Sequence, residues 1–258
     1  MPTLVHEDSY RRACLGYVHR ARLKAIQRSL RGHVGSSARS WADFGCSNGF
    51  VIESVLAAGG IEFNRIVGFD DSVELLELAR QKQIQNAEFQ RINLNAVSPP
   101  HERFDLVTCF ETLEHVADYR HAFENLFNHL ADGGVLMIAV PNETGLSGLI
   151  KFGGRRLVQK NPYGDFFDGS SAAAYTWRLL TNGFIDDFRK PTQQGYGPHL
   201  GFDHRRLSAY IDENYVTNSR LTRIEARMTW LGMNVVSVFR RPEGTSRSGT
   251  SGGGGRES

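Results

Sequence analysis

The 258-residue sequence has little cysteine, little net charge and no long hydrophobic run. Its three cysteines, Cys14, Cys46 and Cys109, show neither metal-ligand spacing nor an even-numbered disulfide framework, which favours a reducing cytoplasm. The formal charge of +2 is too small to favour nucleic acid or an acidic surface as a partner. No apolar run approaches the roughly 18 residues that predict a membrane span, and the N-terminus lacks the apolar segment of a signal peptide. We therefore expect a cytoplasmic protein with neither a membrane nor a nucleic-acid partner.

Apolar runs alternate with helical patterns through the first half of the chain. Amphipathic spacing predicts helices between successive runs, and this alternation is typical of a parallel sheet with helices on both faces. We predict an α/β fold, a doubly wound and mostly parallel seven-stranded sheet with a helical cap insertion. The predicted strands lie near 40–45, 65–70, 87–94, 104–110, 135–140, 215–225 and 233–240.

The chain divides into five predicted segments. The break at 142–200, which is rich in glycine, aromatic and basic residues, is interpreted as the cap, and the Gly/Ser/Arg-rich end is predicted to be disordered. The segments are a helical N-terminus over 1–38, a cofactor-binding core over 39–142, the cap over 143–202, a final helix and strands over 203–241, and the tail over 242–258.

A glycine turn and a carboxylate indicate a nucleoside cofactor. The turn, from Asp43 to Gly49, follows the first predicted strand, and Asp70 ends the second. Glycine lets backbone come close to a ligand, and a carboxylate accepts hydrogen bonds from ribose hydroxyls. The nicotinamide fingerprint G-x-G-x-x-G fails here because Ser47 and Phe50 occupy its second and third glycine positions. The turn fits acid-x-Gly-x-Gly-x-Gly instead, with Ser47 as a small variant in the middle.

Four motifs in order resemble the class I S-adenosylmethionine-dependent methyltransferases. The chain is similar to their small-molecule branch, which includes the ubiquinone-type O-methyltransferases, best over residues 40–142. Besides the glycine turn, the motifs are Phe104-Asp105-x-Val107 with Leu113-Glu114-His115, Leu130-x-Asp132-Gly133-Gly134, and Pro141-Asn142-Glu143.

The resemblance implies a Rossmann-like methyltransferase fold, S-adenosylmethionine as cofactor and a set of cofactor-binding residues. Asp43 would orient the methionine amino group, and Asp70 would hold the ribose hydroxyls. Asn93 stands where the family often has an aspartate at the adenine amine. The remaining residues implied at the cofactor are Gly45, Cys46, Ser47 and Gly49 at its amino-acid end, Asp71 and Leu94 beside the adenine, and Phe110 and Glu111 beside the sulfonium.

Two histidines are candidates for a catalytic base. His115 follows the fourth predicted strand, although the Leu-Glu-His segment can also be structural in this family. His199 lies on a glycine-flanked loop, where it is a candidate for base or acceptor ligand. We predict no metal site, because no carboxylate or cysteine spacing accompanies His199 and His204. Glu143 either points into the cleft or caps the following helix.

The residues of the cap do not identify the acceptor. Its basic residues, among them Lys151 and Arg155, are either a solvated surface or a means of steering an anionic acceptor. Its aromatic residues, Phe152 and Tyr175 among them, can form an apolar or sugar-stacking wall. Asn161-Pro162-Tyr163 resembles a box of nucleic-acid amino-methyltransferases, but it lies inside the cap and is interpreted as a turn.

The sequence predicts methyl transfer to an oxygen of a small polar metabolite. A weak similarity after residue 200 to methyltransferases of polysaccharide or natural-product pathways favours a glycan or natural-product intermediate. Two alternatives stay open at this point. One is methylation of nitrogen or of a macromolecule, and the other is a catalytically silent cofactor-binding module of the same fold.

Overall fold

The computed structural model describes residues 15–35, 38–96, 102–158, 169–189, 191–192, 195–196, 199–229 and 232–244. Seven strands form one sheet in the order β3-β2-β1-β4-β5-β9-β8. The strands are β1 Ser40–Phe44, β2 Arg65–Asp70, β3 Ala87–Arg91, β4 Phe104–Phe110, β5 Leu130–Pro141, β8 Thr222–Met228 and β9 Asn234–Arg240; β6 Pro191–Thr192 and β7 Gly195–Tyr196 form a separate pair.

Strands β1 to β5 are parallel, and β9 runs antiparallel between β5 and β8. The predicted doubly wound, mostly parallel seven-stranded sheet is therefore confirmed. The helices are α1 Leu15–His33, α2 Phe50–Ala57, α3 Val73–Gln81, α4 Tyr119–Asn128, α5 Gly145–Val158, α6 Gly169–Leu180 and α7 His204–Ile211. In the described part of the chain, no helix combines the length and apolar character needed to cross a bilayer.

Alternation along the strands gives the sheet an apolar layer on each face. Trp41 and Leu106 pack with α1, α2 and α3, whereas Phe44 and Cys109 pack with α4 and α7 on the other face. A third cluster, including Phe152 and Tyr175, joins α5 to α6. These two aromatic rings therefore form the core of the cap. They do not form the apolar or sugar-stacking wall that the sequence allowed.

One predicted strand is present but begins seven residues later than predicted. Residues 215–225 were expected to be extended, but Asp212–Val216 form a π-helical turn that continues α7, and β8 begins only at Thr222. Tyr215 is buried against Phe123 and Phe127 of α4, so its apolar character serves helix packing. The tail beyond residue 244 and the Asn161-Pro162-Tyr163 turn lie outside the described residues.

Substitution of Gly68 in β2 tests the close packing behind the site. A Cβ there would lie 2.7 Å from the Phe89 ring and 2.9 Å from Cys46 Sγ. We expect Gly68→Ala to lower the free energy of unfolding by about 1–3 kcal/mol, the range for overpacking a core. Gly153→Ala on α5 is the matched control, since a Cβ there would meet no described atom within 4 Å beyond its own chain neighbours and helix backbone.

The control variant should gain stability, by about 0.5–1 kcal/mol, because alanine suits a helix better than glycine. Urea unfolding of the three proteins measures both differences. Equal effects of the two substitutions would contradict the packing argument.

Candidate functional site

The turn after β1 approaches the loop after β4. Gly45 has φ +76°, and a side chain there would collide with Thr112. Gly49, with φ +74°, is the residue before α2. Ser47 also has a left-handed backbone, at φ +52°, a conformation that favours glycine. Serine in the middle glycine position therefore adds backbone strain but keeps the left-handed conformation of the turn.

Asp70 joins this turn to the next helix. Its Oδ2 accepts a hydrogen bond from the Ser47 N–H at 2.9 Å, and its Oδ1 accepts one from the Ser72 N–H at 3.0 Å. Burial raises the pKa of Asp70, although both N–H bonds act in the opposite direction. A carboxylate oxygen has two lone pairs, so each retains capacity for a further donor such as a hydroxyl. The neighbouring Asp71 is exposed.

Asp43 is a buried carboxyl at the end of β1. Its Oδ1 accepts a hydrogen bond from Thr108 Oγ1 at 2.6 Å, and that hydroxyl accepts one from Trp41 Nε1 at 2.7 Å. Burial raises the pKa of Asp43 to about 7, with a smaller contribution from the negative charge of Asp70. A cationic group brought next to Asp43 would favour its ionised form. The sequence did not identify Thr108, which stands within an apolar run.

Glu111 connects the end of β4 to α1. It has a left-handed backbone, φ +53°, and its Oε2 lies 2.7 Å from Arg22 Nη1. Its Oε1 accepts a hydrogen bond from Asn234 Nδ2 at 2.7 Å. Arg22 is only 4% exposed, although the basic residues of a helix more often face solvent.

These elements enclose a small cleft at the carboxyl ends of β1 and β4. Arg22 and Ile26 of α1 line one side of it, and buried Phe110 lines another. Five of the sequence-predicted cofactor residues meet here, namely Asp43, Gly45, Cys46, Ser47 and Phe110. Asn48, Phe50 and Val51 complete the lining.

Asn93 and Leu94 follow β3, the strand next to β2. The register pairs Asp70 with Arg91, so the two residues lie near the same sheet edge as Asp70. Leu94 is buried in the core, and Asn93 is exposed, with its Oδ1 accepting the Asn95 N–H at 2.9 Å. One lone pair of the Asn93 carbonyl oxygen is therefore already used inside its own loop.

The structure brings both candidate histidines together with Glu114. The ring centroids of His115 and His199 are 4.7 Å apart. Glu114 Oε1 lies 3.6 Å from His199 Nδ1 and 3.9 Å from His115 Nε2. The sequence placed the two histidines 84 residues apart (199 − 115) and gave no sign of this contact.

Burial dominates the protonation of this cluster. Glu114 is fully buried, and burial, reinforced by the charge of Glu111, raises its pKa well above the usual value. Burial lowers the pKa of His199 to about 3. Both shifts favour uncharged side chains at neutral pH.

Glu114, His115 and His199 are also a donor set of the kind that holds a metal ion. One ligand atom from each lies within 4.8 Å of the others, and they form the one such group in the described chain. The positive charges of Arg22 and Arg189 act on Glu114, and those of Arg155 and Lys151 act on His199. Negative charges act on the same two groups, that of Glu111 on Glu114 and that of Glu143 on His199. The absence of a metal stays a prediction.

Glu143 accounts for the basic residues of the cap. It is buried, and its carboxylate is 2.9 Å from two nitrogens of Arg155 and 3.3 Å from Lys151 Nζ. Burial alone would raise its pKa, but Lys151 and Arg155 hold the pKa below its usual value. The two cations therefore secure α5 to the end of β5, an arrangement that neither sequence alternative anticipated.

Comparison with known proteins places this geometry in a family. A family model described as a methyltransferase domain matches residues 9–184. The ubiquinone biosynthesis O-methyltransferase of Haemophilus ducreyi is 33% identical over 131 residues, covering 48% of this chain and 52% of that protein. The protein of the same name from Psychrobacter cryohalolentis is 30% identical over 163 residues, covering 57% and 62%. The chain spans about half the length of the first of these curated relatives.

Solved structures share the fold. The N-methyltransferase NodS from Bradyrhizobium japonicum WM9, in complex with S-adenosyl-L-homocysteine, superimposes with a TM-score of 0.53 at 18% identity, covering 87% of both chains. Magnesium protoporphyrin IX methyltransferase from Synechocystis PCC 6803 gives a TM-score of 0.54 at 15% identity, covering 86% of this chain and 83% of that one. At these identities the similarity concerns the fold alone.

Asp43→Asn tests the buried carboxyl without any ligand. The folded chain keeps the Asp43 proton up to about pH 7, whereas the unfolded carboxyl has a pKa of 3.8. Its contribution to stability is therefore fully present below pH 3.8 and is lost as the pH rises through about 7. Within this window the wild type should lose about 1.4 kcal/mol per pH unit relative to the variant.

Urea unfolding between pH 4.5 and 8 measures the difference. Asp187→Asn is the control, because that carboxylate is 71% exposed and its loss should leave the pH dependence unchanged. Parallel curves for wild type and Asp43→Asn would contradict the raised pKa.

Proposed function

The chain belongs to the class I S-adenosylmethionine-dependent methyltransferases, and from this we propose that it transfers a methyl group to an oxygen of a small polar molecule. The observation that carries the proposal is the hydrogen bond between the Ser47 N–H and Asp70. It joins the glycine turn to the carboxylate at one sheet edge, which is where parallel α/β sheets bind nucleoside ligands.

The residues present fit S-adenosylmethionine. Asp70 has acceptor capacity for the two ribose hydroxyls, and Leu94 offers an apolar surface near that edge for the adenine. Asp43 is a half-satisfied carboxyl on the cleft, a partner for the methionine ammonium. The turn from Gly45 to Gly49, with buried Cys46, would hold the amino-acid end, and Asp71 and Asn93 would flank the adenine.

Methyl transfer depends more on how the acceptor and the methyl donor are positioned than on reactive side chains of the protein. When bound, the cofactor supplies an electrophilic methyl group on its sulfonium. The protein aligns the acceptor with it, which is worth about 7–11 kcal/mol when two reactants are well oriented. Phe110 and the α1 residues Arg22 and Ile26 line the cleft. His199 takes the hydroxyl proton as the new carbon–oxygen bond forms, with His115 beside it.

Oxygen is favoured as the acceptor atom by the relatives that align with this chain, which are named as O-methyltransferases. The cap favours a compact polar acceptor. Its aromatic residues Phe152 and Tyr175 are buried in its own core, so they do not offer an apolar wall to an acceptor. Nothing in the small net charge supports a nucleic-acid substrate. We keep the cytoplasm as the proposed location.

Transfer of labelled methyl groups tests the function. The protein is incubated with S-adenosylmethionine carrying a labelled methyl group and with a panel of hydroxylated metabolites, glycans, amines and nucleic acids. Label on oxygen of a small acceptor supports the proposal. Label on nitrogen or on a macromolecule, or tight cofactor binding without turnover on any acceptor, would assign one of the alternative functions.

Asp70→Ala tests the ribose contact. We expect cofactor affinity to fall by about 1–3 kcal/mol, or roughly 5- to 150-fold in Kd, because a charged acceptor of two hydroxyls is lost. Isothermal titration calorimetry measures the Kd, and the melting temperature shows that the variant is folded. Glu77→Ala removes an exposed carboxylate of α3 instead; it is the control and should stay within about threefold. An unchanged Kd for Asp70→Ala would refute this assignment.

His199→Ala tests the base. Loss of a general base typically costs about 10²- to 10⁴-fold in rate, and we expect kcat to fall within that range while the cofactor Kd stays constant. His121→Ala is the control, since His121 is exposed on α4. Full activity of His199→Ala would remove this residue from the mechanism.

A further inference from the structure

A second cavity is lined by the first residues of α4 and α7. Its volume is about 180 Å³, which is room for several water molecules. Tyr119 and Arg120 come from α4, and Arg206 comes from α7. Arg189 and Gly201, which lie between these helices in the chain, contribute to the same lining. The cavity shares no residue with the cleft at the ends of β1 and β4, so cofactor binding does not account for it.

The three arginines of this cavity each lie over an aromatic ring. The distances from guanidinium carbon to ring centroid are 5.1 Å for Arg189 over Phe202, 3.9 Å for Arg206 over Phe184 and 5.8 Å for Arg120 over Tyr119. An aromatic ring attracts a guanidinium through its charge and holds it in place without occupying its N–H donors. The rings therefore position these cations for a further partner.

Arg120 and Arg206 have donors to offer to a ligand. Both side chains are exposed. In the part of the chain that the structure describes, the Arg120 guanidinium donates no hydrogen bond, and the Arg206 guanidinium donates one long bond, from Nε to Asp186 Oδ1 at 3.4 Å. A ligand that enters the cavity from solvent can therefore meet both guanidinium groups.

The aspartates around the cavity do not cancel its arginines. Asp203 is neutralised by Arg205, whose Nη2 lies 2.6 Å from its Oδ2. Asp186 lies 3.4 Å from Arg206. Asp118, the N-cap residue of α4, is the third carboxylate nearby. With Arg205 included, four arginines are close to three aspartates, and this surplus of positive charge favours an anionic ligand.

The cavity is close to the candidate base. Gly201 lines the cavity and lies two residues after His199, and two residues of extended chain span at most about 7 Å. Arg189 connects the cavity to the loop after β4, because its Nη2 donates hydrogen bonds to the backbone carbonyls of Glu114 and Val116, each at 3.0 Å. A small molecule with an anionic group in the cavity can therefore present a hydroxyl group near His199.

We propose that this cavity binds a phosphate group of the methyl acceptor, so that the acceptor is a phosphorylated hydroxy compound of the size of a sugar phosphate or a nucleotide. This inference rests on the proposed function. Phosphate is favoured over a carboxylate because three arginines line one cavity and phosphate has three terminal oxygens, whereas one guanidinium satisfies both oxygens of a carboxylate. Lys151 and Arg155, which the sequence offered for an anionic acceptor, are both paired with Glu143.

Arg120→Gln and Arg206→Gln test the proposal, since each removes an exposed charge without opening the core. Isothermal titration calorimetry at constant ionic strength compares sugars and nucleosides with their phosphate monoesters. We expect the phosphorylated member of at least one pair to bind at least about tenfold more tightly, and each substitution to weaken that binding at least about fivefold, because a charged hydrogen-bond donor is lost.

Arg103→Gln is the matched control. It removes the same charge from an exposed position just before β4, at the opposite edge of the sheet, and should change the affinity by less than about twofold. Melting temperatures show that the variants are folded. Equal affinity for the neutral and phosphorylated members of every pair would overturn the site. A loss in Arg103→Gln as large as that in Arg206→Gln would also overturn it.

Steady-state methylation distinguishes the phosphate of an acceptor from a free anion. If both occupy the cavity, inorganic phosphate should raise the KM of the phosphorylated acceptor and leave kcat and the cofactor Kd unchanged. Inorganic phosphate that binds in calorimetry but leaves this KM unchanged would overturn the assignment to the acceptor. If binding of phosphate monoesters depends on Arg120 and Arg206 but no oxygen is methylated, the anion site stands and the proposed function fails.

Discussion

The parallel register of β1, β2 and β4 is the constraint on which the site depends. Phe44 at the end of β1 pairs with Phe69 on one side and with Cys109 on the other, so the three strands end at one level. Asp70 and Phe110 each stand one residue further along their strands. A slip of one residue would turn every side chain to the other face of the sheet and would separate the turn from its carboxylate.

The sequence predicted the parts of the molecule that depend on local pattern. β2 and β4 agree with the predicted bounds because each is a mostly apolar run that polar residues limit, at the ends of β2 itself and just outside β4. The strand predicted from residue 215 begins only at Thr222, because Tyr215 packs against Phe123 of α4 instead of joining the sheet. A single apolar residue shows that a position is buried, but not against which element.

The residues of the site also differ in whether local sequence pattern could predict them. The glycine turn and Asp70 are visible because their geometry depends on residues close in sequence. Arg22 and Glu111 are 89 positions apart (111 − 22), so no local pattern indicates that they form an ion pair. Lys151 and Arg155 were open to two interpretations because their partner, Glu143, lies on another segment, two residues after the end of β5. Ion pairs between elements have no periodicity, so only the assembled fold reveals them.

The position of α1 has a consequence for the extent of the site. Arg22 and Ile26 form a wall of the cleft although they precede the first strand of the sheet, and the pair between Arg22 and Glu111 fastens that wall to β4. The N-terminal helix is therefore part of the site, and a chain trimmed to its sheet would lose both this wall and the buried cation that pairs with Glu111.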